Sequence, residues 1–230
     1  GFGSVASLKR LGYKSPNEKL NIGCIGAGGR GVVDIAGCAT ENIVALADPD
    51  DERAAPTYKK YEKATRYKDF RRMLDAEQNN IDAVIVAIPD HMHAFAAMWA
   101  MERGKHVYGE KPLARTVWEA RKLAEAAARY KVATQMGNQG YSNEGARVAA
   151  EIIWSGEIGE VREVHAWTNR PIWPQGILKA LPVEKAPDSL DWDLWLVIAA
   201  DRPFISGGAN YYENGYGYYV PFNWRGFFDF

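Results

Sequence analysis

A glycine-rich turn near the amino end of the chain sets the strongest constraint on its fold. The turn Gly26-Ala27-Gly28-Gly29-Arg30-Gly31 follows an apolar, strand-like segment and opens a segment of helical period. In this context Gly26 permits a tight turn, Gly28 lets the backbone approach a pyrophosphate, and Gly31 allows close helix packing. The N–H groups at the start of that helix favour a phosphate. The pattern therefore predicts a Rossmann dinucleotide-binding domain.

The surrounding chain has the periodicity of βαβ units. Between Leu20 and Met136 short apolar segments alternate with longer segments of helical period, which indicates a doubly wound α/β fold with a parallel sheet. Segment 83–87 is apolar at every position and is expected in mid-sheet. Thr116 and Glu119 predict a capping box. The other expected strands are 20–25, 43–47, 106–108 and 132–136, and the expected helices are 30–38, 51–63, 93–103 and 117–130.

The character of the chain changes after residue 137. A helix is expected at 145–155 and a strand at 161–167, followed by segments rich in proline, glycine and aromatic residues. These aromatic side chains form either a core under long loops or a surface for stacking flat ligands, and the core is favoured. The expected divisions are an amino-terminal extension (1–19), the dinucleotide-binding domain (20–137) and part of a second domain (138–230).

Asp48 ends the second expected strand, 22 residues after Gly26. A carboxylate at this point can accept hydrogen bonds from both hydroxyls of an adenosine ribose. The alternative is an ordinary solvated turn, Asp48-Pro49-Asp50. Because a carboxylate repels a 2′-phosphate, the sequence favours NAD over NADP. The nearest basic residue, Arg53, is expected on the outer face of its helix.

Three polar segments follow expected strands, and ligands of open parallel sheets bind at the carboxyl ends of the strands. These segments are Ile88-Pro89-Asp90-His91-Met92-His93, Glu110-Lys111-Pro112 and Gly137-Asn138-Gln139-Gly140-Tyr141. A dinucleotide that crosses this edge would pass all three. No metal is expected, because His91 and His93 lack the partners of a metal site. His93 either caps the following helix or lies near the nicotinamide.

Charge and composition argue for a small-molecule partner. The 28 basic and 29 acidic side chains leave a formal net charge of −1, so no broad field attracts nucleic acid or an anionic membrane. No apolar stretch approaches the roughly 20 residues that a membrane helix needs. Cys24 and Cys38 have no metal-site or redox spacing and are expected to be reduced, buried thiols.

The glycine turn, Asp48, segment 89–93 and Glu110-Lys111-Pro112 together resemble the glucose-fructose oxidoreductase, inositol dehydrogenase and rhizopine-catabolism (Gfo/Idh/MocA) family. The resemblance extends from Leu20 to about Val164. It implies a Rossmann domain followed by an α+β domain with a mostly antiparallel sheet. It further implies hydride transfer between NAD and a hydroxyl or carbonyl carbon of a sugar or cyclic polyol.

The resemblance also implies roles for individual residues. Lys111 would be the acid/base or hydroxyl-orienting lysine, with Glu110 and His93 near the nicotinamide ribose and the substrate. Asn138 and Gln139 would line the same crevice. An NAD-dependent glycosidase that oxidises its sugar transiently, and a non-catalytic dinucleotide-binding module, remain as alternatives.

One departure from the family pattern concerns a second-domain histidine that usually completes the site. No histidine follows His165, so the chain is expected to be a fragment whose catalytic partner lies beyond Phe230. The full-length protein is expected to form a homo-oligomer. Segments 169–171 and 190–193 resemble one bacterial branch in which some members carry export signals, which leaves both the cytoplasm and the periplasm open.

Overall fold

The computed structural model describes residues 18–171, 173, 181–207, 217–228 and 230. The chain forms two compact units. The first comprises the described parts of Gly1–Met136 and Ala186–Arg202, and the second those of Gly137–Lys185 and Pro203–Phe230. Most of the extension expected at 1–19 lies outside the described residues.

A six-stranded sheet organises the first unit, in the order β3-β2-β1-β4-β5-β6. The pairs β3–β2, β2–β1, β1–β4 and β4–β5 are parallel, which confirms the α/β fold class. The order reverses beside β1, whose neighbours are β2 and β4, and open α/β sheets bind ligands at such a switch point. The strands are β1 (Asn21–Ile25), β2 (Asn42–Ala47), β3 (Thr65–Tyr67), β4 (Ala83–Val86), β5 (His106–Glu110) and β6 (Thr134–Gly137).

Among the described residues, five helices connect the strands and three more follow the last strand. They are α1 (Gly31–Gly37), α2 (Asp51–Lys60), α3 (Phe70–Ala76), α4 (His93–Met101), α5 (Val117–Tyr130), α6 (Gln139–Ser142), α7 (Glu144–Trp154) and α8 (Trp192–Leu196), with short 3₁₀ turns at Asp90–Met92 and Asn223–Gly226. The capping box predicted for α5 is confirmed, since Thr116 Oγ1 accepts from Glu119 N and the Glu119 carboxylate accepts from Thr116 N. None of the helices in the described ranges is both long enough and apolar enough to cross a membrane.

Strand β4 shows why the sheet has helices on both faces. Val84 and Val86 pack into the core that includes α3, α4 and α5, whereas Ile85 packs into the opposite core beneath α1 and α2. All three side chains are at most 2% exposed. Burying each stabilises the fold by roughly 1.5–3 kcal/mol. The mid-sheet position predicted for this strand is confirmed.

Two elements between β2 and β4 were not predicted. Strand β3 has only three residues, Thr65, Arg66 and Tyr67, at the edge of the sheet, so it shows no apolar run. Helix α3 has seven residues, too few for a clear helical period, and Asp69 caps it by accepting from Arg71 N. Both elements follow from packing and a local cap rather than from a sequence pattern.

The strand predicted at 161–167 is not formed. Residues 161–170 are exposed and irregular, whereas the neighbouring helix α7 has nearly its predicted bounds. A strand is stable only when its N–H and C=O groups pair with another strand. No strand occurs among the described residues after Gly137, so this segment has no pairing partner there.

Segment 186–202, which the sequence placed in the second domain, packs within the first unit. Leu190 forms an antiparallel bridge with Asp50, and Asp191 N donates to Pro49 O at 2.9 Å. Further along the segment, the Trp195 ring lies 5.8 Å from that of His91. The segment therefore crosses the loops that follow β2 and β4.

Aromatic side chains form a cluster in the second unit. Four of them are each at most 9% exposed: Tyr218, Tyr219, Trp224 and Phe230. The centroids of neighbouring rings lie 4.7–6.4 Å apart. The core interpretation is therefore confirmed for these residues. The other tyrosines of this segment, Tyr211, Tyr212 and Tyr216, lie outside the described residues.

Candidate functional site

The glycine turn between β1 and α1 is closed by contacts that leave no room for side chains. Gly26 has φ +90°, its N–H donates to Ala47 O at 2.8 Å, and a Cβ there would stand 2.2 Å from Ala87 O. A Cβ on Gly31 would stand 1.9 Å from Gly26 O. Both glycines are thus required by the tight turn and the close helix packing that were predicted.

The side chain of Arg53 lies beside Gly28 and Gly29. A Cβ on Gly28 would stand 2.6 Å from Arg53 Cγ, and one on Gly29 would stand 2.6 Å from Arg53 Nη2. Arg53 is exposed, as expected for the outer face of its helix, and its long side chain extends over the glycine turn. Arg53 lies in the first turn of α2, which begins at Asp51 beside the glycine turn.

The outer face of the turn remains open. Gly29 and Arg30 are exposed, whereas the other residues of the turn are buried. The turn leads directly into α1, the arrangement in which Rossmann domains hold a pyrophosphate. The residues present therefore fit a dinucleotide at this position.

Asp48, at the end of β2, is hydrogen-bonded to the glycine turn. Its Oδ2 accepts from Ala27 N and Gly28 N, both at 2.9 Å, and its Oδ1 accepts from Asp50 N at 3.0 Å. Burial raises the pKa of Asp48, and the three N–H donors oppose that rise. The side chain is buried, which excludes a solvated turn, and Oδ1 retains a second lone pair for a further donor.

The Glu110-Lys111-Pro112 segment begins at the carboxyl end of β5. Glu110 is buried and Lys111 is exposed, as expected for successive residues of an extended segment. Arg30 Nε lies 3.4 Å from Glu110 Oε1, and Arg30 Nη2 lies 3.1 Å from Asp34 Oδ1. Arg30 therefore connects the glycine turn to this segment.

Asp34, on α1, was not singled out in the sequence. Burial and the negative charge of Glu110 raise the pKa of Asp34 to about 6, although Arg30 acts in the opposite direction. An acid at the fourth position of a helix looks like an ordinary surface residue. The only sequence signal was its place in an otherwise apolar segment, Val32-Val33-Asp34-Ile35-Ala36.

His93 connects the loops that follow β4 and β5. Its Nδ1 lies 2.6 Å from Pro112 O, its Nε2 lies 2.7 Å from Ile88 O, and the side chain is buried. Both ring nitrogens are therefore directed at backbone carbonyls rather than toward an open crevice. The contacts observed are those of a cross-link between two loops.

The remaining predicted residues lie at two places. Ile88 and Pro89 are half-buried after β4, and Ile88 Cγ2 lies 3.0 Å from where a Gly26 Cβ would stand. Asn138 is exposed and precedes α6, whose first residue is the half-buried Gln139, both in the second unit.

His91 belongs to the core beside the site. It is 1% exposed, and burial lowers its pKa to about 4. Within the described ranges, no group of three or more His, Cys, Asp or Glu side chains could hold a metal ion. Cys24 and Cys38 are free thiols, Cys24 buried and Cys38 half-buried.

Comparisons with known proteins agree on the first unit. A family described as an oxidoreductase family with an NAD-binding Rossmann fold, GFO_IDH_MocA, matches residues 20–138. Inositol 2-dehydrogenase of Pseudomonas fluorescens is 31% identical over 158 residues, which cover 66% of this chain and 46% of that protein. A glycosyl hydrolase family 109 protein of Solibacter usitatus is 27% identical over 174 residues, 69% of this chain and 39% of that protein.

A solved structure, the myo-inositol 2-dehydrogenase of Lactobacillus plantarum, superposes with a TM-score of 0.56. It is 25% identical, and the match covers 62% of this chain and 43% of that one. The chain thus spans less than half the length of the relatives that it matches.

Proposed function

Because this chain belongs to the Gfo/Idh/MocA oxidoreductase family and its residues 20–138 form the NAD-binding Rossmann domain, we propose that the protein is a sugar or polyol dehydrogenase. It would transfer a hydride between nicotinamide and a hydroxyl or carbonyl carbon. Inositol 2-dehydrogenases and a levoglucosan dehydrogenase among its relatives support this substrate class.

The position of Lys111 is the observation that carries the proposal. The ammonium group is exposed at the carboxyl end of a sheet strand, while the residues on either side of it are anchored. Glu110 is held by Arg30, and the carbonyl of Pro112 contacts His93. As a neutral amine, a lysine presented in this way can accept a proton from a substrate hydroxyl, and as an ammonium it can return one to a carbonyl oxygen.

The other residues bind and orient. The glycine turn would hold the pyrophosphate, Asp48 would accept from the adenosine ribose through Oδ1, and Glu110 would accept from the nicotinamide ribose. Ile88 and Pro89 would line the rest of the crevice, and the roles expected of Asn138 and Gln139 stay predictions. NAD, when bound, supplies the nicotinamide that accepts or donates hydride.

His93 receives a different role from the one first expected. Moving a proton to or from substrate needs a ring nitrogen that is free to reach it. Both nitrogens of His93 lie within 2.7 Å of backbone carbonyls, so we assign it to positioning the Lys111 segment rather than to proton transfer.

A glycosidase is the second candidate, and the similarity to a glycosyl hydrolase family 109 protein favours it. Such an enzyme would oxidise its sugar transiently, eliminate the aglycone and reduce the ring again. The same NAD site and the same lysine would serve both reactions. A non-catalytic dinucleotide-binding module would bind NAD and do neither.

One experiment separates these functions. The full-length protein is incubated with NAD and, in turn, with inositols, free hexoses and nitrophenyl glycosides. A dehydrogenase accumulates NADH absorbance with a free polyol or sugar, whereas a glycosidase releases nitrophenol without net NADH. Lys111→Ala serves as the control, because it should abolish either reaction while NAD still binds. NAD binding with neither product would overturn both enzymatic assignments.

A further inference from the structure

A groove runs between α4 and α5 in the first unit. It has a volume of about 480 Å³, and its apolar lining includes Met98 of α4, Trp118 and Tyr130 of α5, and Ile198 of segment 186–202. Trp118 is 68% exposed, although tryptophan side chains are highly buried on average. Exposed aromatic side chains beside an apolar groove are typical of surfaces that bind another protein.

Four side chains of α5 form a stripe along this groove. Trp118, Lys122, Glu125 and Arg129 all line it. Their spacings of four, three and four residues place them on one side of a helix with 3.6 residues per turn, whereas Leu123 lies in the core beneath the same helix. This α5 stripe therefore presents an aromatic ring, two cations and a carboxylate in a fixed order.

The order of the α5 stripe is its own complement when the helix is reversed. If a second α5 runs antiparallel, with a two-fold axis between positions 123 and 124, Lys122 lies opposite Glu125 of the partner subunit. Trp118 then lies opposite Arg129 of the partner subunit. Both contacts occur twice, because a two-fold interface is isologous. One is an ion pair, and the other places a guanidinium over a tryptophan ring, a favourable cation–π arrangement.

The charges also fix the register of the two helices. Moving the axis by two residues toward the carboxyl end would place Lys122 opposite Arg129 of the partner subunit, and two cations would then repel each other. Only the axis between positions 123 and 124 gives both favourable contacts at once. The stripe therefore specifies one antiparallel arrangement.

Within one chain, the residues nearest the axis already contact each other. Lys122 Nζ lies 2.6 Å from Glu125 Oε2, and these side chains are 43% and 64% exposed. Lys122 Nζ also lies 5.9 Å from the centroid of the Trp118 ring. Exposed pairs of this kind contribute little to stability, so sharing them with a second copy costs little. Around the axis, two such pairs would form one network of four alternating charges.

We propose that the groove between α4 and α5, with the α5 stripe, is a two-fold interface that binds a second copy of this chain. The surface requires a helix with a complementary order of groups, and a second copy supplies that order by symmetry. At each end of the interface, Trp118 of one copy meets Arg129 and Tyr130 at the far end of the other copy's groove. The proposal concerns assembly and does not depend on the activity proposed above.

Exchanging the two charges nearest the axis tests both the partner and the register. Lys122→Glu places carboxylates opposite each other across the axis, and Glu125→Lys places ammonium groups there. Each single variant should raise the dissociation constant of the assembly at least about tenfold, because like charges at an interface repel. The double variant restores opposite charges and should assemble like the wild type. An equal mixture of the two single variants should also recover assembly, since each supplies what the other lacks.

Sedimentation velocity of the full-length protein over a concentration series measures the assembly, and circular dichroism checks that each variant folds. If other surfaces also join copies, each single variant should halve the number of subunits. Trp118→Ala should weaken the assembly by about 30-fold or more, the scale of an interface hot spot. The matched control is Lys60→Glu on α2, across the sheet from α5, because Lys60 also lies beside an aromatic ring, 5.4 Å from the Tyr61 centroid. It should assemble like the wild type.

The mixture decides the identity of the occupant. Recovery in the mixture, with the control unchanged, supports a second copy in the antiparallel register. Recovery in the double variant but not in the mixture would mean that the stripe meets another part of the same chain or a different protein, and would overturn the proposal. A wild type that is monomeric throughout the series, or single variants that assemble as the wild type does, would overturn it as well.

Discussion

The two ends of the candidate site neutralise buried charge in different ways. At the glycine turn, Asp48 is satisfied by three backbone N–H groups. At the Lys111 end, the buried Glu110 interacts with two side chains at the start of α1, Arg30 and Asp34. Backbone donors cannot titrate or be substituted, whereas side-chain partners can. The hydrogen-bond partners at the first end therefore stay the same as the pH changes, whereas Asp34 at the second end titrates near pH 6.

The largest effect should come from Lys111, because it alone is assigned to proton transfer. In the full-length protein Lys111→Ala should lower turnover by roughly 10²–10⁴-fold, the usual scale for a positioned acid or base. NAD affinity should stay nearly unchanged, since the glycine turn and Asp48 are untouched. Steady-state kinetics on the true substrate, beside NAD calorimetry, provide the check. Activity retained within a few-fold would make Lys111 an ordinary surface lysine.

The next largest effect should come from Asp48, at the glycine-turn end of the site. Asp48→Ala should weaken NAD binding by on the order of 1–3 kcal/mol, because it removes a ribose acceptor and leaves the Ala27 and Gly28 N–H groups without their partner. Discrimination against NADP should fall as well, since Arg53 would then be the nearest charge beside Gly29. Calorimetry with both cofactors measures this. Equal affinity of the wild type for NAD and NADP would remove the basis of the preference.

This contrast also explains how much the sequence could predict. The glycine turn and Asp48 are encoded by short-range spacing, with hydrogen bonds that join residues 20 and 21 positions apart across one βαβ unit. The contact between Arg30 and Glu110 joins residues 80 positions apart, and no spacing rule predicts which side chains meet there. For the same reason Glu110 and Lys111 could be found as a motif, but Asp34 could not.

The contacts of Arg53 and His93 could not be predicted from the sequence for a similar reason. Arg53 is exposed as expected, but helical periodicity does not show how its long side chain bends over the neighbouring glycine turn. His93 was predicted to lie near the nicotinamide from its place after a strand. Its two carbonyl partners come from backbone positions, Ile88 and Pro112, which carry no sequence signature.

A smaller effect should follow when the His93 cross-link is removed. His93→Ala should destabilise the fold by about 1–3 kcal/mol, because buried carbonyls lose their partner and a cavity remains. His93→Gln should recover part of this loss by donating from its amide. Thermal unfolding of both variants, with turnover measured below the transition, tests the assignment. If His93→Gln folds like the wild type yet loses turnover as completely as Lys111→Ala, then His93 takes part in proton transfer.

The smallest effect concerns the two buried acids, Asp34 and Asp48, and the way in which the free energy of unfolding depends on pH. The Asp34 carboxyl has a pKa near 3.8 in the unfolded chain, whereas its pKa in the folded protein is about 6. This group therefore stabilises the fold below about pH 4, and the stabilisation is lost as the pH rises through about 6. Asp34→Asn removes that loss, so relative to the wild type it should gain on the order of 1–2 kcal/mol between about pH 4 and pH 7.

Asp48→Asn should behave differently, because it exchanges a carboxylate that accepts from three N–H groups for an amide with one acceptor oxygen. Its NH₂ group would face a backbone donor, so the variant should be less stable than the wild type at neutral pH. Urea unfolding of both variants at several pH values measures the difference. If Asp34→Asn shows no relative gain at neutral pH, the ionised Asp34 does not destabilise the fold, and the contrast between the two ends of the site does not hold.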